Sequence, residues 1–136
     1  VLRDALKELF PEAEEDMLDQ VLLLSLGRSG KAIQLMREPE AFQEVRDCYR
    51  LIEFLDEKAS LAARLSTVID FSQNASKMRA FLALFVHYFR RKMFSGSTFE
   101  QKSAAIRIIE EIHRVMNLAN RNINPRLLLE NLMLQL

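Results

Sequence analysis

Phosphate chemistry is the first possibility to test, because "SLGRSGKAIQLM", Ser25 to Met36, sets two glycines, two serines and a lysine ahead of a helical run. A nucleotide-binding loop needs Gly, four residues, then Gly-Lys-Ser/Thr, so that backbone amides wrap the phosphates, the lysine reaches them and a hydroxyl holds magnesium. Counting back from Gly30-Lys31 puts Ser25 at the first glycine and Ala32 at the hydroxyl, so two of the requirements fail. The context fails too. Such a loop follows a β-strand, whereas Asp16 to Leu26 spaces its apolar residues in a helical rhythm. The expectation is a helix C-cap at Gly27 and a new helix with Ser29 as N-cap.

The other reactive side chains are dispersed. His87 and His113 have no ligand partners four residues away; Glu110 stands three before His113, a thin basis for a metal, which requires clustered His, Cys, Asp or Glu. Cys48 falls among core positions of its helix and is expected to be a buried structural thiol. As a single cysteine it excludes an intrachain disulfide and fits a reducing, cytoplasmic compartment. Glu110-Glu111 and the run "EPEAFQEVRD" read as solvated faces with partners such as Glu110 to Arg114. Arg90-Arg91-Lys92 closes a helix where cations suit the negative pole of the dipole. Phe81, Phe85 and Phe89 keep helical spacing and read as core. No catalytic residues, cofactor or metal ligands are assigned.

The elements that carry these residues are helical. The chain of 136 residues has 49% hydrophobic residues, 3 Gly and 3 Pro, with propensities that sum towards an all-α fold of about one domain. Its 19 basic and 19 acidic residues cancel, so no overall field collects nucleic acid or anionic lipid. The longest charge-free apolar stretches are too short to span a membrane, which takes about 20 residues. Entry at Val1 without a signal pattern suggests a piece of a longer chain.

A short helix over 2–10 is expected to end at Pro11, which suits the first turn of the next helix with its acids Glu12, Glu14, Glu15 and Asp16. A third helix over 29–37 should turn Ala32, Ile33 and Met36 inward. Glu38-Pro39 is the expected boundary between a small front part and a larger back part of about five helices. "DEKAS" joins the first two of these, Asn74 caps the next, and that one stops at Ser95-Gly96. Ser97 with Glu100 forms an expected capping box ahead of a helix with Ala105, Ile108, Ile109, Ile112 and Val115 on one face. "NINPRLLLENLMLQL" opens with Asn124 as cap and Pro125 at the first helical position, and is apolar nearly all round.

Two stretches carry a resemblance. "LLLSLGRSGKAIQLM" resembles the end of the helical lid domain in bacterial clamp-loader subunits, and "NINPRLLLENLMLQL" resembles the closing helix of the delta prime type of DNA polymerase III subunit. The matching letters in the second are Asn122, Asn124, Leu127, Leu129, Glu130, Leu132 and Met133. The resemblance implies that residues 1–37 end a lid domain and 39–136 form a collar, an oligomerisation bundle that joins the gamma/tau and delta subunits while DNA is met only through the full complex. Relatives that bind ATP carry an arginine where this chain has Gly30, which suits the delta prime type, related to ATP-driven motor subunits without being an ATPase.

On that basis Leu128, Leu129, Leu132, Met133 and Leu136 are expected at the subunit interface, since one helix should not bury both the 128, 132, 136 line and the 129, 133 line in one small core; service in the internal core is the competing reading. Whether the chain self-associates without its partners stays open, hydrophobic association being able to make it a dimer. Two other classes stay open. One is a nucleic-acid-binding domain using Arg79, Arg90, Arg91 and Lys92; the other is a ligand-binding or catalytic bundle using His87 or His113, which would need a polar cavity.

Overall fold

The computed structural model describes residues 1–96 and 98–136. Eight α-helices and no strand occur among them: α1 (Leu2–Leu9), α2 (Glu15–Leu24), α3 (Ser29–Arg37), α4 (Pro39–Glu57), α5 (Leu61–Ser72), α6 (Ala75–Ser95), α7 (Phe99–Ala119) and α8 (Pro125–Leu134). The all-α expectation holds. The chain divides into two compact units, Val1–Tyr49 and Arg50–Leu136, with the division inside α4 rather than at the Glu38-Pro39 break where α4 begins.

In the first unit α1, α2 and α3 pack on one another around Leu6, Leu18, Val21 and Leu35. Arg3 pairs with both Glu15 and Asp19, and Lys7 Nζ lies 3.0 Å from Glu15, so the acidic first turn of α2 is answered by α1 as well as by its own dipole. Pro11 falls in the turn before α2, not in its first helical turn, because α2 begins only at Glu15. On α3 the residue buried with Ala32 is Leu35, while Ile33 and Met36 stay part-exposed; the buried line is set one position away from the expected face.

The second unit is organised by the α6–α7 pair, with α8 lying against α5 and α7, and α5 also against α6. Phenylalanines form a ladder along α6: Phe81 and Phe85 are fully buried, Phe89 nearly so, and ring centroids stand 5.2 and 5.4 Å apart, with Phe71 of α5 stacked at 4.3 Å on Phe81. On α7 the inward residues are Ala105, Ile108, Ile112 and Val115. Local caps place the helix starts. Ser60, Asn74 and Asn124 accept from the backbone amides of Ala63, Lys77 and Arg126 respectively. The expected box at Ser97 lies outside the described residues; the box that forms one residue on joins Thr98 and Gln101, so Glu100 has no part in it. Arg64 Nε donates to the Leu55 carbonyl at 3.0 Å and satisfies one of the acceptors that the end of α4 leaves open.

Burial on α8 is uneven, and stability should follow it. Leu129→Ala is expected to cost about 2–5 kcal/mol in urea unfolding, since Leu129 has no exposed surface, whereas Leu127→Ala, half-exposed on the same helix, should stay within about 0.5 kcal/mol.

Candidate functional site

The glycine-serine-lysine stretch makes no phosphate cradle. It follows α2, which ends at Leu24 with Ser25 as C-cap, earlier than the expected cap at Gly27. Leu26 and Gly27 then take left-handed φ values of 56° and 74°, reversing the chain into α3. The Ser25 hydroxyl is buried and donates to the Leu22 carbonyl, and Lys31 Nζ reaches Gln34 on its own helix at 3.3 Å. Arg28, not Ser29, occupies the N-cap of α3, and no side chain caps it.

Among the described residues no group of three His, Cys, Asp or Glu side chains could hold a metal, and no helix is long and apolar enough to cross a membrane. Cys48 is only part-buried, not the buried thiol expected. Arg114 pairs with Glu111, three residues before it, in place of the expected Glu110. His87 sits on α6 with its Nε2 buried and unbonded. Burial, with Arg91 and Arg90 adding repulsion, lowers the imidazole below its ordinary pKa of 6.5. Among the described residues Nε2 has no hydrogen-bond partner.

A polar cluster joins α4 to α6. Tyr88 donates to Asp56 Oδ2 at 2.8 Å, and Lys92 Nζ pairs with the same oxygen. Burial, then the hydrogen bond to Asp56, holds the Tyr88 phenol far above its usual range, so it remains a neutral donor. The Asp56 side chain is only 10% exposed and is served by a neutral and a charged donor together. Such a satisfied group fastens helices. Lys92 is paired with Asp56, and Arg79 stands eleven residues from Arg90 along α6, about 16 Å at the helical rise.

The expected interface residues are placed in the core instead. Leu128 is 5% exposed, Leu129 and Leu132 not at all, and Met133 1%, with Leu136 part-exposed. A single helix does bury both lines, because α5 and α7 enclose it from two sides, and the four fully covered residues have no surface to offer a partner. What remains in water is Leu127 at 52% and Leu134 at 60% on α8, with Leu61 at 51% and Ile69 at 45% on α5, the helix packed against it. The sequence signal was the i, i+4, i+8 line Leu61, Leu65, Ile69, which competes on α5 with the buried Val68 and Phe71. Phe94 and Phe99, exposed on either side of the α6–α7 connection, were likewise hidden inside apolar helical patterns.

No family model, known relative or solved structure matches the chain.

Two measurements check this geometry. The His87 imidazole, followed by NMR, should titrate with a midpoint below 6.5; because its folded value is depressed, stability is lost as pH falls below the ordinary histidine value, and His87→Gln should flatten that part of the profile. Tyr88→Phe removes a hydrogen bond to a buried carboxylate and is expected to destabilise by about 1.5–3 kcal/mol in urea unfolding.

Proposed function

We propose that this chain is a non-catalytic assembly domain of a bacterial replicative clamp loader, of the delta prime type, working in the cytoplasm. The observation that carries the assembly role is the set of large aliphatic side chains left in water on two helices packed against each other, Leu61 and Ile69 on α5 and Leu127 and Leu134 on α8. Lone exposed leucines are ordinary on a protein surface, and the assembly reading takes these four, on two helices packed together, as positions that partner proteins cover. The resemblance of residues 122–136 to the closing helix of delta prime subunits narrows the partners to the gamma/tau and delta subunits. Asn124 as cap and Pro125 at the first helical turn give that stretch a defined start, consistent with its use as a folded docking element. In this reading binding is by apolar burial, and DNA is reached only through the other subunits.

The corrected interface residues make the test selective. Leu127→Asp combined with Leu134→Asp places charges on exposed positions and should leave the helical fold intact by circular dichroism. Association with gamma/tau and delta, followed by analytical ultracentrifugation, should weaken about 30- to 100-fold, corresponding to the loss of about 2–3 kcal/mol from two leucine contacts. A folded double variant that assembles as the parent does removes α8 from the interface.

A further inference from the structure

We propose that a second surface, the cleft between the α5–α6 and α7–α8 connections, docks an acidic peptide segment anchored by an aliphatic side chain. The cleft has a volume of about 730 Å³ and lies wholly within the second unit. Its accessible apolar wall is built from Met116 and Ala119 of α7 and Ile123 of the connection into α8, above the buried Met78 and Leu82 of α6. The part-exposed Met116 thioether in that wall supplies polarisable, adaptable packing for a branched or unbranched aliphatic group. The rim is a different chemistry. Gln73, Asn120 and Asn122 carry side-chain amides, which offer a donor and an acceptor together and so match the amide groups of a peptide backbone. Asn122 is held at φ 58°, a conformation that asparagine tolerates better than most residues, and this turns the connection back along the cleft before α8 begins.

Charge selects the sign of the partner. The chain as a whole balances 19 cations against 19 acids, yet the two segments that border the cleft, residues 72–82 and 116–127, hold Lys77, Arg79, Arg121 and Arg126 and no acid. All four are exposed. Lys77 stands over the Phe71 ring and Arg126 reaches Glu130, while Arg79 and Arg121 have no ion pair among the described residues. Arg79 lines the cleft itself and offers a planar fork to a carboxylate. Nucleic acid would meet the same charge, but single-stranded bases need exposed aromatic faces, and the cleft lining contains no aromatic residue. A peptide uses all three features, the aliphatic wall, the amide rim and the cation. This surface uses none of Leu61, Ile69, Leu127 or Leu134, so it stands or falls apart from the assembly role.

The test is selection of a displayed random-peptide library on the 136-residue chain, with the winning peptides then measured by fluorescence anisotropy against the parent, Arg79→Glu and Ala119→Trp. Peptides that combine Asp or Glu with Leu, Ile or Met, bind Arg79→Glu about tenfold more weakly and are excluded by Ala119→Trp support the assignment. Failure to enrich any peptide overturns it, as do winners indifferent to Arg79→Glu or lacking acidic residues. Oligothymidylate is titrated alongside; binding that Arg79→Glu abolishes, in the absence of enriched peptides, would make the cleft a nucleic-acid site instead. Arg79 is exposed, so its variant decides the matter even if Ala119→Trp does not fold.

Discussion

Enclosure of α8 is the constraint on which the second unit depends. Its ten residues include six large apolar side chains besides Pro125, distributed so that no single contact face can cover them. Water is a poor neighbour for such a helix, and each fully buried leucine contributes about 1.5–3 kcal/mol relative to exposure. The answer in this fold is to clasp α8 between α5 and α7, which removes Leu129, Leu132 and Met133 from solvent almost entirely. Asn124 and Pro125 begin the helix at the register that this clasp requires.

That solution has a consequence for α5. A twelve-residue helix that must face both α8 and α6 turns Val68 and Phe71 inward and leaves the Leu61 and Ile69 line outside. The apolar surplus which composition alone locates on α8 is therefore shared between two helices. Elsewhere the unit is closed by specific contacts: the phenylalanine ladder along α6, the Arg64 side chain on the open Leu55 carbonyl, and Asp56 receiving Tyr88 and Lys92. These groups are satisfied where they stand, which is why these polar clusters read as fastenings.

Much of this is legible in the residues. Pro39, Asn74 and the Asn124-Pro125 pair mark helix starts because each has a local physical reason to be there, and the Phe81, Phe85, Phe89 spacing declares a core face without reference to any neighbour. The cap at Ser29 misses by one residue, since Arg28 takes that position and a one-residue shift leaves composition unchanged. The interface is harder. Periodicity shows that Leu128, Leu129, Leu132 and Met133 all want cover, but whether a neighbouring helix or a partner provides it depends on tertiary packing, and here α5 and α7 do. The cleft beside Arg79 has no linear signature at all, because its lining comes from segments more than thirty residues apart that only the fold brings together.

Amide hydrogen exchange of the chain alone and in an equimolar mixture with gamma/tau and delta subunits probes the assembly role most directly. Residues Leu129 and Leu132 are already enclosed and should change little, whereas amides of α5, from Leu61 to Ser72, should exchange more slowly once its exposed aliphatic line is covered. Unchanged exchange across α5 and α8 in a mixture that forms the complex would contradict assembly through this surface.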